Sequence, residues 1–155
     1  MSTQQRPKPD AAAALAAQPT SVWVASLASL ALIVGGVGPW ATAYGLVSLS
    51  GTDMHGWRAV AVGVLGLAML GLQQLRGGRL PMIVAGVGGV LVVALAISTL
   101  DTINSKGAVS VLGTTYHYLD PAWGLYLVLA AGIALAGAAA ALTWRAFART
   151  PGGVA

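Results

Sequence analysis

The sequence predicts an all-α membrane protein: a bundle of four transmembrane helices, built from two parallel helical hairpin repeats and carrying a small β-like extracellular cap. Three observations lead there. Hydrophobic residues make up 57% of the 155-residue chain and charged residues only 8%, where an average soluble domain carries about 25% charged. The few charges are gathered so that four long stretches contain none. An eleven-residue motif also occurs twice, once after the first of these stretches and once after the third.

Composition excludes several classes of function. Eight Lys or Arg and four Asp or Glu cannot clothe a globule of this size in polar surface. A soluble enzyme and a nucleic-acid-binding domain are therefore not expected, despite a pI near 10.0. There is no cysteine, hence no thiol nucleophile, thiolate metal site or disulfide framework.

About 20 residues at about 1.5 Å rise cross the hydrocarbon core, so each uncharged stretch has room for one helix. The expected spans are about 21–44, 57–75, 80–100 and 121–145, with outer loops 45–56 and 101–120. The first stretch is interrupted by Gly35, Gly36, Gly38 and Pro39. Pro39 lacks the N–H that would bond the Gly35 carbonyl and its ring crowds that carbonyl. The reading here is a tolerated kink near Pro39, with helix continuing to Tyr44. The alternative is a broken helix whose freed carbonyls bind an ion. The second span is short, and Trp57, Gln73 and Gln74 complete it at its ends. Arg76 to Arg79 then forms a tight turn, which makes the second and third helices antiparallel neighbours.

Aromatic side chains mark the span ends: Trp23, Trp40, Tyr44, Trp57, Trp123, Tyr126 and Trp144. These rings favour the membrane–water interface. Placing both termini in the cytoplasm puts Arg6, Lys8, Arg76, Arg79, Arg145 and Arg149 inside and leaves Arg58 and Lys106 outside, a positive-inside bias. The chain is thus expected in the cell membrane as a multi-pass protein. Residues 1–20, with Pro7, Pro9 and Pro19, read as a flexible cytoplasmic tail, 21–149 as one transmembrane domain and 150–155 as a second short tail. A cleaved signal peptide ending near Ala41-Thr42-Ala43 is disfavoured, because the apolar run is too long and starts too far from Met1.

The repeated motif is G-x-V-S-x-x-G-T-x-x-H, at Gly45–His55 and again at Gly107–His117, with six identities in eleven positions. Each copy leads to a tryptophan and then a span. Two hairpins of the same orientation, related by an axis along the membrane normal, follow from this arrangement. Alternation at Gly107–Leu112 predicts a short strand, with Thr115–Tyr118 returning; Leu46–Ser50 has the same form.

Both histidines fall in these loops. His55, His117, Asp53 and Asp120 are the candidate metal ligands if the repeats pack about the axis, two imidazoles and two carboxylates suiting a divalent ion. Two titrating histidines also suit an outer pH sensor, and solvated loop residues are the plain alternative. No catalytic pair or phosphate loop is present, and no span carries a charged residue away from its ends, which argues against proton-coupled transport. No cofactor and no enzymatic activity are expected. Small residues at four-residue spacing, Ala59 with Gly63, Ala85 with Gly89, Ala130 with Ala134 and Ala138, and Gly132 with Ala136, predict close helix packing in lipid.

Ala, Val, Gly and Leu dominate, with two lysines and one phenylalanine. The run from Gly38-Pro39-Trp40-Ala41-Thr42 through Ser50-Gly51-Thr52-Asp53 to Gly56-Trp57, with Gly124-Leu125-Tyr126-Leu127 later, resembles small four-pass membrane proteins of actinobacteria or their phages. That resemblance implies the architecture and no catalytic residue. The function expected is association: a non-enzymatic accessory or scaffold subunit of a cell-envelope complex. Its partners are the lipid bilayer and another membrane protein or further copies of itself, with no nucleic acid. The alternative is a pore-forming or permeability-changing protein of the phage holin or immunity type. An outer-face metal-binding or transport protein is the third reading.

Overall fold

The computed structural model describes residues 19–76, 80–111, 114–117 and 119–148. Both expected tails, apart from Pro19 and Thr20, lie outside them, as do Arg6, Lys8, Arg79 and Arg149. Among the described residues four helices carry the fold: α1 (Thr20–Val37), α2 (Trp57–Arg76), α3 (Leu80–Lys106) and α4 (Trp123–Ala148). All four are long and apolar enough to cross a membrane. Five short strands lie between them: β1 (Pro39–Ala43) and β2 (Val47–Ser50) after α1, then β3 (Ala108–Val111), β4 (Thr114–His117) and β5 (Leu119–Pro121) after α3.

The strands order as β2-β1-β5 in one antiparallel sheet and β3-β4 in a second. Because β1 follows α1 and pairs with β5, which precedes α4, the helices run up, down, up, down with every strand at one end. The helices form a ring in which α1 packs on α2 and α4, and α3 packs on α4 and less closely on α2. Leu32, Leu70, Val92, Ala96, Val128 and Leu135, drawn from all four helices, are buried in one cluster. Helix contacts rest on small residues. A Cβ on Gly89 would stand 2.9 Å from the Gly132 oxygen and 3.0 Å from the Ala136 nitrogen, so α3 and α4 meet backbone to backbone.

The first span departs from expectation. It does not kink at Pro39 and run to Tyr44; the helix stops at Val37, and Pro39 opens a strand. Pro39 removes one donor, and the chain supplies others locally. Gly38 N–H donates to the Val34 oxygen at 3.0 Å. The indole N–H of Trp40 donates to the Gly35 oxygen at 2.9 Å, the carbonyl that a residue-39 amide would have served. Ser50 Oγ donates to Val37 O at 3.2 Å, and Gly51 N–H donates to Gly38 O at 2.8 Å. These bonds give protein donors to the Val34, Gly35 and Val37 carbonyls at the open end of the helix.

Trp40 is consequently fully buried, not an interfacial ring. A Cβ on Gly51 would stand 2.4 Å from its Nε1, and one on Gly56 would stand 2.4 Å from the Gly36 oxygen. Only glycine lets the chain close over the end of α1. The other six aromatic residues named above are all exposed, as lipid- or interface-facing rings should be.

The remaining bounds shift less. α3 runs through Lys106 rather than ending near Leu100, so the second loop starts at Gly107; α4 begins at Trp123 and reaches Ala148. Strands at Val47–Ser50, Ala108–Val111 and Thr114–His117 fall where alternation placed them. The two motif copies nevertheless fold differently. In the first, β2 pairs backwards onto β1 and Gly51–Gly56 forms turns; in the second, β3 pairs forwards onto β4 within the motif itself.

Candidate functional site

The strand end of the bundle holds most of the polar chemistry. The β1–β2 hairpin turns at Tyr44 and Gly45, with φ of 51° and 66° and Leu46 N–H donating to Ala43 O at 3.1 Å. Two successive positive φ values give the turn whose twist matches a hairpin. The hairpin raises apolar side chains: Tyr44 is 78% exposed, Leu46 89% and Val47 59%. β2 is an edge strand of its sheet, so its outward backbone groups are open to pairing.

Beside the hairpin, the turns over Gly51–Gly56 lead into α2. Asp53 N–H donates to Ser50 O at 3.1 Å, Gly56 N–H to Gly51 O at 2.5 Å and Arg58 N–H to His55 O at 3.1 Å. His55 takes a left-handed φ of 71°, a conformation costing a non-glycine residue about 1–2 kcal/mol. The result is a cleft of about 440 Å³ between this segment and the C-terminal half of α3. Asp53, Met54, His55 and Arg58 form one wall, and Leu95, Ser98, Thr99 and Thr102 the other. The guanidinium of Arg58 lies 5.7 Å from the centroid of the Trp57 ring, within range of a cation–π contact.

The candidate metal ligands are only partly brought together. Asp53 and His55 share the cleft. Asp120 sits in β5, opposite Thr42 of β1, and at His117 only the backbone is described, opposite Ala108 in the second hairpin. Among the described residues no three His, Asp or Glu side chains gather as a metal site. The sheet pairing is the reason. β5 inserts beside β1, so the second loop is laid onto the first by a strand the motif does not contain, and its copies are not brought to equivalent places.

The small-residue positions fall mostly inside. Ala59 and Gly63 of α2 are buried, a Cβ on Gly63 standing 2.6 Å from the Ser29 oxygen. Ala85 and Gly89 are buried on α3. On α4, Ala138 is buried and Ala134 half-buried, while Ala130 is on the exposed face. One helical turn apart does not keep a stripe inward over two turns at 3.6 residues per turn.

The sequence did not single out the α3 wall. Ser98 and Thr99 fall inside the expected third span and Thr102 in the expected second loop; their 3–4 spacing places them on one helix face, which is the available signal. A second groove, about 530 Å³ and almost wholly apolar, runs between α3 and α4 past Met82, Val87, Ala140 and Trp144.

The fold defines a four-helix, up-down bundle of membrane-spanning length with a small three-stranded sheet at one end. No family model matches the chain, and no curated protein or solved structure matches it.

Proposed function

We propose that this is a non-enzymatic integral membrane protein that acts by association, as an accessory or scaffold subunit of a cell-envelope complex. Its two hairpins, α1–α2 and α3–α4, stand as parallel repeats in the cell membrane with both termini cytoplasmic and the strands forming an outer cap. The distribution of basic residues supports that orientation.

The observation carrying the reading is the β1–β2 hairpin: an edge strand whose tip exposes Tyr44, Leu46 and Val47. A partner membrane protein that adds an extended segment to β2 covers those side chains and pairs the open backbone in one step. The filled axis of the bundle, with Leu32, Ala96, Val128 and Leu135 at zero exposure, favours association over a lumen within one chain.

Photo-crosslinking tests this. A photoreactive residue at position 46 of the full chain in native membranes should give a discrete adduct with another membrane protein. Ser48→Pro, which removes a strand donor, should abolish it. A chain that stays monomeric and unlinked at position 46 overturns the proposal, and a ladder of identical subunits replaces the partner with further copies of the chain.

A further inference from the structure

The cleft between α2 and α3 has walls of unlike chemistry. On α3, Ser98 Oγ donates to Leu95 O at 2.9 Å, Thr99 Oγ1 to Leu95 O at 2.9 Å and Thr102 Oγ1 to Ser98 O at 2.8 Å. A hydroxyl has one proton, and each of these three has given it to the helix. In this arrangement what they offer the cleft is lone pairs, so this wall presents acceptors. Across from it stand the carboxylate of Asp53, the imidazole of His55 and the guanidinium of Arg58. Arg58 lies over the Trp57 face, which leaves the in-plane N–H fork open to a phosphate.

The depth of the cleft is set by Trp57, the first residue of α2 and 57% exposed. An outward-facing tryptophan at a helix end marks the level of lipid head groups. Leu95 and Met54 supply apolar lining at the same place.

We propose that this cleft binds the head group of a phospholipid carrying both a phosphate and a primary ammonium, of the phosphoethanolamine type. Arg58 takes the phosphate. The ammonium donates its N–H groups to Asp53 and to the Ser98 and Thr102 oxygens. A quaternary ammonium has no N–H and leaves the acceptor wall unpaired, so the site discriminates between two zwitterionic lipids of equal charge. This site does not depend on the association reading.

The test is native mass spectrometry of the detergent-purified full chain with equal amounts of phosphatidylethanolamine and phosphatidylcholine of identical acyl chains. Phosphatidylethanolamine should be retained about tenfold over phosphatidylcholine, the scale of one hydrogen bond to a charged group. Ser98→Ala with Thr102→Val should abolish that preference. Arg58→Gln should weaken both lipids about tenfold, while Arg76→Gln, at the opposite end of α2, should change neither. Thr102→Val alone conserves shape and reports on the same preference if the double variant fails to fold. Equal retention of the two lipids by the unmodified chain overturns the proposal, as does a preference that survives loss of the hydroxyls. Displacement of the lipid by an equal concentration of free phosphoethanolamine moves the ligand into solution and overturns the lipid assignment.

Discussion

Replacing Trp40 by an isostere with sulfur in place of the indole N–H, benzothienylalanine, tests how the chain ends its first helix. Trp40 is fully buried and its Nε1 donates to the Gly35 oxygen at 2.9 Å. Pro39 has no amide N–H to take over that role. The isostere keeps the shape and deletes the donor, leaving a buried carbonyl unsatisfied at a cost of about 1–3 kcal/mol. Trp40→Phe removes the same bond and also volume, so it should cost about 1 kcal/mol more. The measurement is unfolding by SDS in mixed micelles, followed by far-UV circular dichroism because the remaining tryptophans crowd the fluorescence signal. An isostere that unfolds within about 0.3 kcal/mol of the native chain would falsify the argument, since the carbonyl would then not depend on the indole.

Other outcomes follow from the same packing. Gly89→Ala places a Cβ 2.9 Å from the Gly132 oxygen and should destabilise the α3–α4 contact by about 1–3 kcal/mol, read by the same SDS titration. Ser29→Ala should be neutral or stabilise by about 1 kcal/mol, because the Ser29 hydroxyl is buried without a hydrogen-bond partner; a loss of more than about 1 kcal/mol points to a buried water held there. His55→Ala should leave the metal content of the purified protein unchanged by elemental analysis, since among the described residues no three His, Asp or Glu side chains gather. Gly51→Ala should disturb the strand end more than Gly71→Ala, which meets no neighbour within 4 Å, and comparative proteolysis of the hairpin would register the difference.

Much of the fold was legible in the chain because its causes are local. A run of apolar residues between charges favours helix in lipid, where each backbone group needs an internal partner, and each of the four helices overlaps one of the four uncharged stretches. The strands at Val47–Ser50 and Ala108–Val111 were legible for the same reason, as alternation is a local pattern. The misreading of Pro39–Ala43 as helix came from treating apolar composition as sufficient. Trp40 and Ala41 are apolar because they are buried in protein, and hydropathy does not distinguish burial in protein from burial in lipid.

The candidate site divides along the same line. That Asp53, His55 and Arg58 lie just before and within the first turn of α2 follows from their positions in the chain. That they face Ser98, Thr99 and Thr102, some forty residues further on, follows from the antiparallel packing of α2 and α3. That Asp120 lies opposite Thr42 was decided by β5 pairing with β1, a contact between distant segments that leaves no periodic trace in either. Local hydropathy and backbone chemistry thus determined the number and nature of the helices. Register between helices and the pairing of strands far apart in the chain depend on which surfaces fit each other, and only the tertiary structure decided those.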